Sequence, residues 1–295
     1  MHTNKYLSLL CFLSILATTV RVQAQAYNYE EALRNPQKVR VLNLLAKEAE
    51  SFSKNVHRFS NLASLTFTPD KHIPKEFAQL KRLKFLKFRQ NQVKQFPHEF
   101  KNLTSLEGLT FYDGGTVPKG IGQLTNLKIL TLHQVAIAPE IMKEVGNLRK
   151  LEQFSAHDVG IEKLPENFVQ LKQLKYMYLY RNRITAFPKN IGQLKNLEVL
   201  ATDSPINSIP ASFWNLQELK ILALLDLKLK KLSPDIGKLQ QLEKLSLSIH
   251  RFNQLPQEIA QLIHLKEFKV YHQAFSNTER LLVKQWLPDT KVYFK

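Results

Sequence analysis

The sequence predicts an α/β repeat solenoid with a parallel sheet along its concave face. Three observations predict it: a unit of about 23 residues recurs from Val39 onward, its apolar positions are fixed, and proline opens one segment of most copies. In the clearest copy, Leu174, Met177, Leu179, Ile184, Phe187, Ile191 and Leu194 occupy unit positions 0, 3, 5, 10, 13, 17 and 20, and Leu197 begins the next turn. Copies start at Val39, Leu62, Leu83, Leu106, Leu127, Leu151, Leu174, Leu197, Leu219 and Leu242, with a final strand at Leu265. Spacings between 21 and 24 residues, held over ten turns, do not arise by chance.

This spacing, L-x-x-L-x-L-x-x-N, is that of a leucine-rich repeat with one strand per turn. The horseshoe expected from it has about 11 parallel strands on its concave face. Within each unit the strand covers positions 2–6. Its alternation sends positions 3 and 5 into the core and positions 2, 4 and 6 to the concave surface. Pro74, Pro97, Pro118, Pro165, Pro188, Pro210 and Pro256 lack an amide hydrogen and fix φ, so they open an irregular, 3-10 or short helical convex side and would not suit a ladder strand. Asparagine at position 8 bonds loop backbone between turns in such repeats. Only Asn91 and Asn182 retain it, so the descending loops should vary.

The flanks divide the chain further. Residues 1–24 read as a signal peptide: Lys5 gives a positive start, Tyr6 to Val20 an apolar stretch too short for a span, and Val22 and Ala24 small residues for cleavage. Residues 25–38 read as an N-terminal helical cap, residues 39–264 as ten repeats, and residues 265–295 as the last strand and a C-terminal cap. In that second cap, Ser276 begins a helix with apolar Leu281, Leu282 and Trp286, and a strand follows from Val292 to Phe294.

The one cysteine, Cys11, lies within the leader, so the mature chain is left without disulfides, thiol catalysis or a cysteine metal site. Lys and Arg number 42 against 25 Asp and Glu, a formal charge of +17, of which the leader carries Lys5 and Arg21. Such a charge favours polyanions by long-range attraction. Part of it is ordered. Position 1 of nine successive units reads Lys84, Glu107, Lys128, Glu152, Lys175, Glu198, Lys220, Glu243 and Lys266, alternating in sign throughout. With strands about 4.8 Å apart, each charge lies between two opposite ones, which predicts a register-setting edge ladder.

Concave positions carry Lys87, Arg89, Arg181, Lys244 and Lys269 against Asp113, Asp158, Asp203, Asp226 and Glu267, so this face is nearly neutral and the basic excess belongs to edges and convex side. Its candidate ligand-binding residues are Tyr112, Asp113, His133, His157, Asp158, Tyr176, Tyr178, Tyr180, Arg181, Asp203 and Asp226. The three tyrosines take consecutive outward positions of one strand, and Tyr and Arg bring large contact area with a polar handle. His133 and His157 fall side by side with Asp158 adjacent, two or three of the ligands that zinc takes, against the alternative of plain polar contacts. The reading commits to no metal and no cofactor. There is no Gly-rich phosphate loop, no H-E-x-x-H and no G-x-S-x-G, and the chain reads as a non-enzyme. Basic residues gather at Lys71, Lys75, Lys81, Arg82, Lys84, Arg89 and Lys94, a polyanion candidate set or a solvated face.

Three segments add a family resemblance: residues 31–44, the recurring I-G-Q-L-x-N-L of residues 121–127 and 191–197, and the ending from Trp286 to Phe294. With them the chain resembles the secreted leucine-rich-repeat proteins of pathogenic spirochaetes. The resemblance implies a secreted or surface protein of a bacterium that binds host molecules such as matrix proteins, receptors or glycosaminoglycans. The favoured reading is a binding module holding a host extracellular or cell-surface protein on its central concave face, with a role in adhesion and virulence. The alternative is adhesion to a sulfated glycan through the basic edges and convex side, and the third is a bacterial envelope scaffold; the location expected is the medium or the cell surface, with the periplasm as the other option. Nucleic acid and a membrane span are not expected.

Overall fold

Thirteen parallel strands form one open sheet in unbroken chain order. They are β1 (Ala26–Tyr27), β2 (Val41–Leu45), β3 (Ser64–Thr68), β4 (Phe85–Phe88), β5 (Gly108–Tyr112), β6 (Ile129–His133), β7 (Gln153–His157), β8 (Tyr176–Leu179), β9 (Val199–Thr202), β10 (Ile221–Leu227), β11 (Lys244–Ile249), β12 (Glu267–Tyr271) and β13 (Lys291–Phe294). This computed structural model describes residues 25–90, 92–249, 254–271 and 275–294, so the leader expected over residues 1–24 and the position-8 residue Asn91 lie outside the described residues. The sheet is longer than the 11 strands expected because both flanks add to it: β1 pairs with β2, and β13 pairs with β12.

Register is set at unit position 1. The carbonyl of Glu107 accepts N–H bonds from Lys128 and Ile129 of the next turn at 2.8 and 3.0 Å, and the carbonyl of Lys175 accepts from Glu198 and Val199 at 2.9 and 3.0 Å. This doubled rung repeats along the chain and places equal unit positions side by side. Inward positions 3 and 5 then stack into one continuous core, including Leu109, Leu130, Phe154, Met177 and Leu200. Position 5 holds phenylalanine in three successive turns, Phe67, Phe88 and Phe111, and the last two rings stack at 5.1 Å.

The convex side follows the prolines. Pro74, Pro97, Pro165, Pro210 and Pro256 each precede a five-residue 3-10 helix. Two units differ. The first carries helix α2 (Ala49–Asn55), and the longest, from Leu127, carries helix α3 (Pro139–Val145) with proline at its first position. The recurring I-G-Q-L-x-N-L has two structural reasons. A Cβ on Gly192 would meet the Ser212 carbonyl oxygen of the next turn, and one on Gly122 would lie 2.8 Å from that of Glu144. Its asparagine ties turns together: Asn126 and Asn196 donate to the Thr104 and Lys172 carbonyls, both at 2.8 Å.

At position 8, Asn182 is buried; its Nδ2 donates to the Ala156 and Tyr180 carbonyls, and its Oδ1 accepts from the Ile161 N–H. Val135, Val159 and Leu227 fill the same place elsewhere with apolar packing.

The ends are covered by helices. Helix α1 (Tyr29–Arg34), capped by the Asn28 side chain, buries Tyr29 and Ala32. Helix α4 (Asn277–Trp286) is capped by Ser276. It runs from its expected cap through Trp286, which packs partly buried against the core. Val283 is fully buried and Glu279 accepts from the Leu255 N–H, whereas Leu281 is 61% and Leu282 36% exposed. Residues 279 and 283 lie one helical turn apart on one face, so 281 and 282 are rotated away from it.

The alternating charges stand where the rungs put them. Glu107 accepts from Lys84 at 2.8 Å and from Lys128 at 3.0 Å, and the pairs Lys175–Glu152, Lys220–Glu198 and Lys266–Glu243 close at 3.3, 2.9 and 2.8 Å. The two lysines hold the Glu107 carboxyl below its ordinary value of 4.5 through hydrogen bonds, Lys84 first. A depressed carboxylate contributes stability that is complete above the unfolded value and lost as pH falls through the folded one. Glu107→Gln should therefore melt lower than the parent at neutral pH, by about 1 kcal/mol or less. The gap should close as pH drops below the ordinary carboxylate value, as thermal melts across that range would reveal. Asn182→Ala should cost more, about 2 kcal/mol, because it leaves buried backbone groups unpaired. Denaturant titration measures this, and an unchanged midpoint would remove Asn182 from the turn-to-turn fastening.

Candidate concave-face binding site

Each strand delivers its outward residues to the concave surface, and the rungs convert sequence positions into rows across it. Position 6 aligns Tyr112 with His133 and His133 with His157. Position 4 aligns Ser155 with Tyr178, Tyr178 with Ala201, and Ala201 with Ala223. At position 7 the chain leaves the strand through the left-handed region at Gln90, Asp113, Gln134, Asp158 and Arg181, with φ between 47 and 62°. Asp tolerates that conformation better than most residues, and five successive turns turning alike set those side chains in one line along the surface.

The predicted site residues fall into two adjoining groups. In the first, the His133 and His157 rings stack at 4.6 Å with planes 2° apart, and Tyr112 lies against His133 at 5.6 Å. Asp113 Oδ1 stands 3.3 Å from His133 Nδ1, and Asp158 receives Gln134 Nε2 at 3.2 Å with Arg181 Nε at 3.9 Å. Lys87 Nζ lies 5.8 Å from the centre of the Tyr112 ring, and burial lowers its pKa, with Arg89 adding to the effect. Burial also pushes the His157 imidazole below its usual value, helped by His133 and Arg181 and opposed by Asp158. Nitrogen lone pairs lie in the ring plane, so two parallel stacked rings do not converge on one ion about 2 Å from each. Among the described residues no group of three His, Cys, Asp or Glu is placed to hold a metal.

The second group corrects the expectation of three outward tyrosines. Tyr176 and Tyr178 are half-buried, but Tyr180 is only 2% exposed. Its ring packs with Ala201 and Ala223 into a small apolar cluster separate from the main core, against Tyr178 and Leu225. The reason lies in the neighbouring turns. Alanine at position 4 of two successive strands leaves room for a tyrosine to lie across them. Val199 and Ile221, half-buried at position 2 of those strands, extend the apolar surface. Sequence reasoning missed Ala201, Ala223, Val199, Ile221 and Leu225; two alanines at position 4 of the two turns that follow the three tyrosines are the signal that could have found them.

Charged groups border this cluster. Asp203 accepts the Arg181 N–H, and burial raises its carboxyl above the ordinary value, that hydrogen bond opposing and Asp226 adding to the rise. Asp226 pairs with Lys228 at 2.7 Å. The polyanion candidates do not form one patch. Lys81, Arg82 and Lys84 line a cleft at the sheet edge. Arg89 follows the end of β4 in the position-6 row, Lys75 opens the 3-10 helix at residues 75–79, and Lys71 and Lys94 sit in loops.

The family model described as leucine-rich repeat region matches residues 18–159. A search of curated proteins finds no match. Among solved structures, the chain is similar to an internalin of Listeria monocytogenes at 21% identity and TM-score 0.62, covering 81% of this chain and 69% of that one. It is similar to the functional domain of InlJ from the same organism, which includes a cysteine ladder, at 18% identity and TM-score 0.59, covering 81% and 49%. A leucine-rich-repeat protein of Leptospira interrogans aligns at 22% identity over 92% of this chain and 100% of that one, with TM-score 0.42. The fold is thus a leucine-rich-repeat solenoid with an open parallel sheet. Among the described residues no helix is long and apolar enough to cross a membrane.

Because Tyr180 fills the space over two alanines, Tyr180→Ala should destabilise the chain by about 2 kcal/mol, below a full core truncation. Tyr176→Ala should stay within about 0.5 kcal/mol of the parent. Chemical denaturation ranks the two; equal midpoints would mean that Tyr180 pins nothing.

Proposed function

We propose that this chain is a binding protein that holds a protein ligand on the central concave face, over β7 to β10. One observation carries the reading: Tyr178 and Leu225 stand half-buried over a small buried cluster of Tyr180, Ala201 and Ala223, apart from the main core and on the face that a solenoid offers to partners. An apolar centre bordered by polar groups is the composition of a protein interface. Here the border is His157, Asp158, Arg181, Asp203 and Asp226, of both signs. Tyr180 serves as the fixed floor, and Tyr176 and Tyr178 supply the contact area. Rigid aromatic groups lose little conformational freedom on binding.

The ligand we infer is a host extracellular or cell-surface protein, and the setting is the surface of a bacterium or the medium around it. The leader-like residues 1–24 and the resemblance to secreted spirochaete repeat proteins support this.

Tyr176→Ala with Tyr178→Ala leaves the floor intact. That double variant should melt as the parent does yet bind the protein recovered from host extracellular extract at least thirtyfold more weakly, a loss of about 2 kcal/mol. Titration of purified ligand against both proteins measures it. Equal affinities would overturn the concave-face reading, and protection of the chain from added protease on intact cells would overturn its exposed location.

A further inference from the structure

The alternating row of position 1 does not begin at Lys84. The same rungs run back through two earlier turns: the N–H groups of Ala63 and Ser64 donate to the Arg40 carbonyl, both at 2.9 Å, and those of Lys84 and Phe85 to the Ala63 carbonyl at 2.8 and 3.0 Å. Arg40 has the sign that the alternation asks for. Ala63 does not. Between Arg40 and Lys84 an acidic residue is due, as Glu107 stands between Lys84 and Lys128. The backbone passes through Ala63 as it does through every other turn, so what is missing there is a carboxylate and nothing else.

Around this gap lies an open cleft of about 630 Å³, lined by Lys38, Arg40, Ala63, Lys81, Arg82 and Lys84 among others. Successive turns therefore contribute five exposed cations to its lining. Lys84 is held by Glu107. Among the described residues the other four have no acidic partner, and Arg82 donates instead to Asn61 at 2.6 Å. Asn61 is itself fixed, donating to the Gln37 carbonyl at 2.8 Å. The concentration of like charge is costly for an empty site and favourable for an occupied one.

We propose that this cleft binds a ligand bearing clustered sulfate or phosphate ester groups, one of which occupies the place of the carboxylate that Ala63 lacks. A single carboxylate would leave several of the cations uncompensated, whereas a compact, multiply charged oxyanion ligand meets them together. The planar forks of Arg40 and Arg82 match tetrahedral oxyanions with paired hydrogen bonds, and the lysines contribute point charges. The cleft lies at the sheet edge rather than over the tyrosine cluster, so the inference is independent of the concave-face reading and can fail without it.

The decisive variant is Ala63→Glu, which supplies the missing rung. It changes the charge by one unit, as does the control Lys231→Gln in a different basic segment. The full chain and both variants are titrated at low salt with a sulfated hexasaccharide, with inorganic tripolyphosphate, and with an aspartate-rich peptide. The expected result is that the parent binds at least one of the first two probes more tightly than the peptide, with affinity falling steeply as salt rises. Ala63→Glu should weaken that binding at least tenfold while raising the melting temperature, and Lys231→Gln should change it less than twofold. The tighter of the first two probes identifies the source of the oxyanion. Should Ala63→Glu fail to fold, Arg40→Gln with Arg82→Gln must show the same tenfold loss. Parent-like binding by Ala63→Glu, equal losses in both one-unit variants, or preference for the peptide overturns the proposal.

Discussion

Everything in this molecule depends on the doubled hydrogen bond at unit position 1. There one carbonyl accepts two successive N–H groups from the next turn, as the Glu107 carbonyl does from Lys128 and Ile129. A single bond between strands would leave room for sliding. Two bonds to adjacent residues fix the phase of each turn against the last, and in a one-dimensional stack each phase is inherited by the next. Turns of 21 and of 24 residues thus enter the sheet in the same register, because slack is taken up on the convex side. The helix Pro139–Val145 in the 24-residue unit is one such adjustment.

Once phase is fixed, equal positions become neighbours at strand spacing, and side chains that are far apart in sequence act as rows. The row at position 1 is electrostatic, the row at position 6 stacks two imidazoles, and the row at position 5 stacks phenylalanines. None of these contacts sets the register alone. An exposed ion pair contributes about 1 kcal/mol at most, and register is already held by the backbone and by the apolar positions, since a slip would carry core residues to the surface. The charges reinforce a phase decided elsewhere. Substituting Ala63 at one rung therefore leaves the fold in place.

The period made the fold legible from sequence, because leucines repeated at fixed offsets have only one arrangement that buries them all. Outward rows were legible for the same reason: strand alternation predicts that Tyr176, Tyr178, His133 and His157 leave the core. What alternation cannot supply is the depth of an outward residue. Tyr180 is buried by the smallness of Ala201 and Ala223, one and two turns of chain away, and that depends on which strands become neighbours in space. The C-terminal helix and its Ser276 cap were legible, but its orientation was not: Glu279 and Val283 face the last turn, where Glu279 accepts the Leu255 N–H, while Leu281 and Leu282 are exposed.

The two surfaces differ in the physics that each can use. The concave centre is near neutral and partly apolar, so the recognition proposed there would rest on shape and desolvation, which act at contact range. The edge at the first turns is cationic, so its reach is set by screening, about 8 Å at physiological ionic strength, and it concentrates anions before any contact forms. If both proposed sites operate, they cannot substitute for each other: weakening the edge would slow or loosen encounter with anionic surfaces, and weakening the tyrosine surface would remove selectivity. On the proposed reading, the positive charge of the chain and its nearly neutral concave face keep attraction and recognition on separate residues.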